Sequence, residues 1–374
     1  MLIGVPKETW PGELRAALVP ADAKTLVAMG FDVVVESSLG VAAGLTDAAY
    51  VDAGARVEMG PGVTSGADVV LRVRKPRQED VSQVKSGALH LSFLDPFNEK
   101  ALVEALAQQG VTAVSMEMIP RISRAQKMDA LSSQANLAGY VTVIMAAHQC
   151  PKIFPMMMTP AGTIRPARVF IIGAGVSGLQ AIATAQRLGA RVEAFDTRPA
   201  VAEQVQSLGA KFVDIDIGEV GQTEQGYAKA LTDEQLEMQR QGMADVIRQA
   251  DVLITTAAVF GRPAPRIVTH DMVASMQPGS VVVDLAVESG GNVEGSVLNE
   301  IVNVNGVMLM GMGNLPSNVA RNASEMYSAN LTHFLDNFWN EDSKTLELDP
   351  DDDIARGCVL TRDGAVVNET IKNL

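Results

Sequence analysis

The chain has 374 residues, of which 47% are hydrophobic and 20% are charged. This composition excludes a disordered protein, and the length suggests two ordinary globular domains. The 30 Lys and Arg residues against 44 Asp and Glu residues give a formal net charge of −14. Because nucleic-acid phosphates and anionic lipids repel so acidic a chain, we expect neither nucleic-acid binding nor direct insertion into lipid.

The cysteines and the first residues of the chain indicate where in the cell the protein is located. Cys150 and Cys358 cannot form a disulfide framework and lie in no Cys-x-x-Cys pair, as is typical of a reducing environment. The opening MLIGVPKETW carries Lys7 and Glu8 where a signal peptide needs an apolar stretch. No run approaches the roughly 18 apolar residues of a membrane helix. We therefore expect a cytoplasmic protein.

The amino-terminal third of the chain alternates short β-rich runs with helical stretches. Strands are predicted at 2–5, 32–36, 69–73, 89–93 and 112–116. A helix at 21–29 is predicted to end at Gly30, which can adopt the left-handed conformation that ends many helices. After Arg121 the alternation stops, and a helical stretch at 132–148 is long enough to connect two domains.

The following segments repeat the alternation more sharply. They predict strands at 168–172, 191–195, 251–256 and 280–287, and helices at 176–188 and 199–208. Thr232 and Gln235 form a capping box for a helix that reaches about Gln249. The polar, glycine-rich stretch 216–229 predicts a mobile loop.

The alternation as a whole predicts an α/β fold with two doubly wound, Rossmann-like domains whose mostly parallel sheets are joined by long helices. A terminal helix at 325–339 is expected to pack on the first domain, and a hairpin is predicted at 358–367. The first domain is therefore assigned to 1–130 and 322–374, and the second to 131–321.

A nucleotide-binding motif follows the strand at 168–172. Gly173, Gly175 and Gly178 form a complete G-x-G-x-x-G that opens a helix, and the next strand ends at Asp196. A structural glycine turn is the alternative, but strand, glycines, helix and acid together predict a dinucleotide on the helix N-terminus. Asp196 would bind the adenosine ribose and repel a 2′-phosphate, which favours NAD. Arg198 could hold a 2′-phosphate, but Asp196 is expected to dominate.

The sequence offers no obvious proton-transfer group for a nicotinamide enzyme. Each of its four histidines has a simpler interpretation as a core or surface residue. The segment 121–133 is more unusual, because it places the amide of Gln126 among three cations beside Asp129. A helix N-cap explains Asp129 and the following serines, but not Gln126. Such a group can bind the carboxamide side of a dinucleotide without any titratable group, which suits hydride transfer without proton chemistry.

Four segments carry a family resemblance. They are PRISRAQKMDALSSQANLAGY at 120–140, GAGVSGLQAIATAQRLGA at 173–190, TTAAVFGRPAP at 255–265 and SVVVDLAVESGGN at 280–292. Together they resemble the NAD(H)-binding domain I of proton-translocating nicotinamide nucleotide transhydrogenase, and the likeness covers nearly the whole chain. Phe260 and Arg262 depart from the proline and lysine expected in that family.

The resemblance implies a Re/Si-specific NAD(P)+ transhydrogenase that is active only with partner subunits. NAD(H) would bind this chain, NADP(H) would be the co-substrate on a second subunit, and a membrane-spanning subunit would move protons. The chain would be a homodimer in the cytoplasm, peripheral to the inner membrane. The residues implied at the nicotinamide side are Arg121, Gln126, Asp129 and Ser132. The residues implied in cofactor binding are Gly173, Gly175, Val176, Gly178, Asp196, Arg198, Tyr227 on a closing loop, Thr256 and Ala257.

Two other functions stay open. Alanine dehydrogenase is a relative with a similar beginning, GVPKETWPGELRAALVP, and its substrate arginine is matched by Arg15. Its lysine, histidine and aspartate fall on Arg74, Asp95 and Glu288, so the acid/base group is missing. A non-catalytic NAD-sensing module would be expected to have a degraded 121–132 segment, which is intact here.

A methionine-rich segment predicts the dimer contact. FPMMMTPAGTIRP at 154–166 would expose at least one of its three methionines as a strand within one chain. Core filling is the alternative, whereas the family resemblance implies a hairpin that reaches across a two-fold axis.

Overall fold

The structure is a computed structural model that describes residues 1–216, 218 and 231–373. It divides into two compact units, Met1–Gln134 with Pro316–Leu374, and Ala135–Leu315. We keep the boundaries predicted at residues 130 and 321 as a proposal for where one folding domain gives way to the other along the chain.

The strands and helices are given in chain order. The strands are β1 Leu2–Val5, β2 Asp32–Glu36, β3 Arg56–Glu58, β4 Val69–Leu71, β5 Leu89–Ser92, β6 Thr112–Ser115, β7 Met157–Thr159, β8 Gly162–Ile164, β9 Arg168–Ile172, β10 Arg191–Phe195, β11 Lys211–Phe212, β12 Val252–Thr255, β13 Val281–Asp284, β14 Glu300–Val304, β15 Val307–Gly311, β16 Trp339–Asn340, β17 Thr345–Leu346, β18 Val359–Arg362 and β19 Ala365–Val366. The α-helices are α1 Pro20–Ala28, α2 Asp47–Asp52, α3 Gly62–Ser65, α4 Lys100–Gln108, α5 Ala130–Gln149, α6 Val176–Arg187, α7 Ala202–Ser207, α8 Asp233–Gln249, α9 His270–Ala274, α10 Ala320–Phe338, α11 Asp353–Cys358 and α12 Glu369–Lys372.

The first unit contains a doubly wound sheet. Within the described residues its strand order is β19-β18-β6-β5-β4-β1-β2-β3. The six strands from β1 to β6 pair in parallel, and β18 and β19 extend the sheet with antiparallel pairing. The predicted hairpin at 358–367 is therefore present as β18 and β19. Their pairing brings a carboxy-terminal segment of the chain into the same sheet as its amino-terminal strands.

The second unit repeats the same winding. Its described sheet has the order β11-β10-β9-β12-β13-β15-β14, parallel except for β14 against β15. Alternate side chains of β9 enter two cores, Val169 and Ile171 on one face and Phe170 and Ile172 on the other. Because both faces are buried, the strand is a continuous apolar run. These two sheets confirm the predicted fold class.

The predicted helices are present with small shifts in their ends, whereas α4 and the short helices α2, α3, α9, α11 and α12 were not predicted. The capping box of Thr232 and Gln235 is present at the start of α8. The helix predicted at 199–208 is a 3₁₀ turn, Pro199–Val201, followed by the short α7. The terminal helix is α10 in the first unit, as expected. No helix in the described portion of the chain is both long and apolar enough to cross a membrane.

Candidate nucleotide-binding site

The glycine turn lies between β9 and α6, beside the point where the strand order of the second sheet reverses. Gly173 has a φ of +95°, and a Cβ there would lie 2.6 Å from Thr256 Oγ1. A Cβ on Gly178 would lie 1.9 Å from the Gly173 carbonyl oxygen, so no side chain fits. A Cβ on Gly175 would meet no described atom within 4 Å. The turn is therefore closed on the protein side and open at Gly175, and the helix begins at Val176.

Asp196 stands at the end of β10 with its carboxylate already bonded. Its Oδ2 accepts the Ala174 N–H at 2.8 Å, which ties it to the glycine turn. The Arg198 guanidinium donates to both oxygens at 2.9 Å, and the Arg198 N–H donates to Oδ1 at 2.8 Å. The spacing in sequence brings the two side chains close together but does not predict this ion pair. Asp196 is partly neutralised by the residue that was considered as a 2′-phosphate ligand.

Thr256 and Ala257 follow β12, next to the glycine turn. The Thr256 hydroxyl donates to the Gly173 carbonyl oxygen at 3.1 Å. The buried Asn292 holds Ala257 from the other side, accepting its N–H at 3.0 Å and donating to its carbonyl at 2.7 Å. The Asn292 amide also donates to the Pro265 carbonyl at 2.9 Å. Asn292 therefore fixes both ends of the 257–265 loop.

Asp284 supports Asn292 from the end of β13. Its buried carboxylate accepts the N–H groups of Asn292 at 3.2 Å and Val293 at 3.1 Å, and the Thr255 hydroxyl at 3.2 Å. Both residues lie in the segment 280–292 that carries the family resemblance, but neither was predicted to have a role. An acid that ends an apolar strand, with an Asn-containing turn behind it, was the available signal.

The segment 121–132 belongs to the first unit, where Ser123–Met128 forms a 3₁₀ turn before α5. Asp129 accepts the Ser132 N–H at 2.8 Å and the Ser132 hydroxyl at 2.6 Å, so it caps α5. Gln126 is exposed, and its side chain makes no hydrogen bond within the described residues. The capping explanation therefore accounts for Asp129 and Ser132 but not for Gln126. Arg121 is exposed just before this turn.

One assigned residue cannot be placed. Tyr227, expected on a loop that closes over the nucleotide, lies outside the described residues, as does most of the predicted loop at 216–229.

Buried charges cluster at the carboxyl ends of β1 and β4, where the strand order of the first sheet reverses. Arg15 and Glu13 form a buried ion pair with nitrogen–oxygen distances of 2.7 and 2.6 Å, and Arg15 also donates to Gln134 at 2.8 Å. Burial raises the pKa of Glu13, but the hydrogen bonds and positive charge of Arg15, together with the Ser317 hydroxyl, leave the pKa lowered. Arg15, which matches the substrate arginine of alanine dehydrogenase, is thus engaged inside the protein.

Glu8 lies in the same cluster, but here the effect of burial on the pKa is the larger one. Its Oε1 accepts the Val73 N–H at 2.6 Å, while its buried Oε2 has no partner among the described residues. Burial raises the pKa of Glu8 to about 7, although the nearby positive charge of Arg72 lowers it. Glu8 therefore titrates near neutral pH.

The histidines do not supply an acid or base to this region. His90 is fully buried in β5, and burial lowers its pKa to about 3, so it stays neutral. His148 and His270 are exposed, and His333 is half-buried in α10. Asp95, at the position of the alanine dehydrogenase histidine, accepts Lys75 Nζ at 3.0 Å.

The doubly wound sheets and the glycine turn define a dinucleotide-binding protein with Rossmann-like domains. Models of the alanine dehydrogenase/PNT N-terminal and C-terminal domains match residues 4–138 and 142–369. The chain belongs to the alanine dehydrogenase/PNT family, whose members are NAD-binding oxidoreductases.

Individual relatives refine this placement. A Rhodospirillum rubrum protein named as the first portion of NAD(P) transhydrogenase subunit alpha is 45% identical over 379 residues, which cover 99% of each chain. The structure of transhydrogenase from Sinorhizobium meliloti matches with a TM-score of 0.89 and 44% identity, over 98% of this chain and all of that one. An L-alanine dehydrogenase structure matches with a TM-score of 0.82 and 26% identity, over 100% and 98%. The resemblance to transhydrogenase predicted from the sequence is confirmed.

Proposed function

We propose that the chain is the NAD(H)-binding component of a proton-translocating, Re/Si-specific NAD(P)+ transhydrogenase. The observation that carries this proposal is the 45% identity, over 99% of both chains, to a protein named as a transhydrogenase alpha subunit. NADP(H) would be bound by a partner subunit, and a membrane-spanning subunit would couple the reaction to proton movement.

The second unit has residues that fit the adenosine half of NAD(H). The open side of Gly175 leaves room for a pyrophosphate at the α6 N-terminus, whose first N–H groups can donate to it. Gly173 and Gly178 shape the turn, and Val176 begins the helix. Asp196 would accept the ribose hydroxyls, with Arg198 beside it. Thr256 and Ala257 would support the nucleotide from the next strand.

The first unit would hold the nicotinamide end through Arg121, Gln126, Asp129 and Ser132. Bound NADH supplies a hydride, so these residues need only bind and orient. Gln126 has an uncommitted amide for this purpose, while Asp129 and Ser132 fix the helix that follows it. The neutral His90 and the ion-paired Asp95 agree with a reaction in which this chain moves no proton.

The chain would act as a homodimer in the cytoplasm, held at the inner membrane through its partner subunits. The exposed hairpin β7–β8 supports the dimer, because Met157 and Met158 are 45% and 77% exposed within one chain.

The test is to mix the purified chain with an NADP(H)-binding component of a known transhydrogenase and to follow hydride exchange between NADH and an NADP+ analogue. We expect exchange in the mixture and no oxidation of alanine by the chain alone. Robust NAD-dependent alanine turnover would instead establish an alanine dehydrogenase, the function favoured by Arg15 and the 0.82 structural match. NADH binding without either activity would establish an NAD-sensing module.

A further inference from the structure

Helix α10 carries buried polar side chains that helix formation does not explain. Asn330 lies in the middle of the helix and is 7% exposed, and Ser324 and Ser328 are fully buried. Asparagine and serine are poor helix formers, and a buried amide is costly unless its hydrogen bonds are made. Ser324 donates to the Ala320 carbonyl within the helix at 2.6 Å, but the Asn330 amide bonds outside the helix.

Asn330 finds its partners on both sides of Asp129. Its Nδ2 donates to the Lys127 carbonyl oxygen at 2.8 Å, and its Oδ1 accepts the Ser133 hydroxyl at 2.7 Å. One side chain thus holds the end of the 3₁₀ turn and the first turn of α5. The Gln126 side chain makes no hydrogen bond within the described residues, so its direction follows from the backbone of the turn, in which the Gln126 carbonyl accepts the Asp129 N–H at 3.4 Å.

Hydrogen bonds also link α10 and the start of α5 to the buried ion pair of the first unit. Gln134, next to Ser133, accepts from Arg15 at 2.8 Å and donates to the Ala323 carbonyl of α10 at 3.1 Å. The serines of α10 hold the 16–19 segment, because Ser324 accepts the Ala16 N–H at 2.8 Å and Ser328 accepts the Val19 N–H at 3.0 Å. The polar side chains of α10 therefore hold the backbone of two segments, 16–19 and 127–133.

We propose that Asn330 is a positioning residue for hydride transfer, which sets the 127–133 backbone and through it the direction of Gln126. This inference rests on the proposed function, in which Gln126 orients the nicotinamide. A displacement of about 1 Å at a reacting group can cost roughly a hundredfold in rate, so a loosened turn should affect transfer more than binding.

The test compares Asn330→Ala with Asn322→Ala in the full chain. Asn322 is an exposed residue of the same helix, and its side chain donates to Glu325 at 3.2 Å. With the NADP(H)-binding component present, we expect Asn330→Ala to slow hydride transfer at least about tenfold while the NADH Kd changes by less than about threefold. Asn322→Ala should transfer hydride at the normal rate. Ser133→Ala removes one of the two bonds and gives a milder variant if Asn330→Ala does not fold.

A second measurement does not depend on activity. Hydrogen exchange of the amides at 127–133 should be faster in Asn330→Ala, under conditions where the rest of the first unit keeps its protection. A lower Tm with normal transfer and normal local exchange would overturn the proposal and leave Asn330 a purely structural residue. If even the unmodified chain transfers no hydride, the proposed function fails. If amide hydrogen exchange at 127–133 is also unchanged in Asn330→Ala, the role of Asn330 in holding the turn is overturned as well.

Discussion

Asp196 is the residue on which the proposed preference for NAD(H) over NADP(H) depends. Its negative charge would disfavour a 2′-phosphate, yet Arg198 donates to both of its oxygens. If this carboxylate decides specificity, the chain should bind NADH at least about tenfold more tightly than NADPH, since like charges that meet in a ribose pocket cost on the order of a kcal/mol or more.

Asp196→Asn should narrow or reverse that preference, because it removes the like charge and releases the Arg198 guanidinium for a phosphate. Calorimetric titration with both nucleotides measures the change. Equal affinities of the unmodified chain for NADH and NADPH would remove Asp196 from the specificity argument.

Gln126 is the residue whose proposed role depends most on the orientation of its side chain. Gln126→Asn shortens the side chain by one methylene and should slow hydride transfer by up to roughly a hundredfold, with only a modest rise in the NADH Kd. Transfer rate, NADH affinity and Tm should be measured together. A destabilised variant with a normal transfer rate would mean that Gln126 supports the fold, although Asp129 is the residue that caps α5 here.

Glu8 gives a pH-dependent prediction. Its pKa is about 7 in the folded chain against an ordinary value of 4.5, so the folded state binds the proton more tightly than the unfolded state. Stability from this group is therefore greatest below about pH 4.5 and is lost as the pH rises through 7. Relative to Glu8→Gln, the unmodified chain should lose on the order of 3 kcal/mol of stability between pH 5 and 8.

Denaturant unfolding at the two pH values checks this difference. Glu79→Gln, at a position 76% exposed, is the control and should leave the pH dependence unaltered. A Glu8→Gln variant with the same pH dependence as the unmodified chain would contradict the raised pKa.

At the scale of elements, the hairpin β7–β8 exposes apolar side chains that a stable two-stranded sheet would pack against another element. Such hairpins are marginal in water, and Met157, Met158 and Ile164 are 45%, 77% and 44% exposed. Met158→Asp should therefore weaken the homodimer and raise the monomer fraction in sedimentation at micromolar concentration. Met59→Asp, at an 85% exposed position elsewhere, should not. A stable monomer of the unmodified chain would refute the dimer.

The strands were predictable from the sequence where both of their faces are buried. β1, β2, β9 and β10 begin and end at the predicted residues, since an unbroken apolar run allows few alternatives. The hairpin β14–β15 was missed because the edge strand β14 is largely exposed and mixes polar with apolar residues. Asn305-Gly306 was its available signal, as Asn-Gly is a favoured hairpin turn.

The candidate site likewise has a part that the sequence predicts and a part that it does not. The glycine turn and Asp196 follow from local spacing, because strand, turn and helix are continuous in sequence. The supporting contacts do not, since Asn292 and Ala257 are 35 residues apart and Asn330 and Lys127 are 203 apart. Hydrogen bonds over such separations depend on the packing of whole elements, about which local patterns carry no information.

At the scale of the whole molecule, the net charge of −14 bears on how the chain reaches a membrane. Anionic lipid attracts basic segments and repels this protein, so we expect membrane association only through protein partners. In flotation with phosphatidylserine vesicles the chain should stay in solution at low salt, and vesicles that carry the membrane-spanning subunit should bind it. Direct binding to protein-free anionic vesicles would contradict this expectation.

The first unit is discontinuous in sequence, and this determines the order in which the two units can fold during translation. The second unit, Ala135–Leu315, is synthesised without interruption. The first unit must wait, with β6 unpaired by β18 and the loops after β1 without the serines of α10, until translation has passed residue 359. Its amino-terminal half therefore spends most of translation as an incomplete sheet whose partner strand does not yet exist. The half of the molecule that is translated first is the half that can finish folding last.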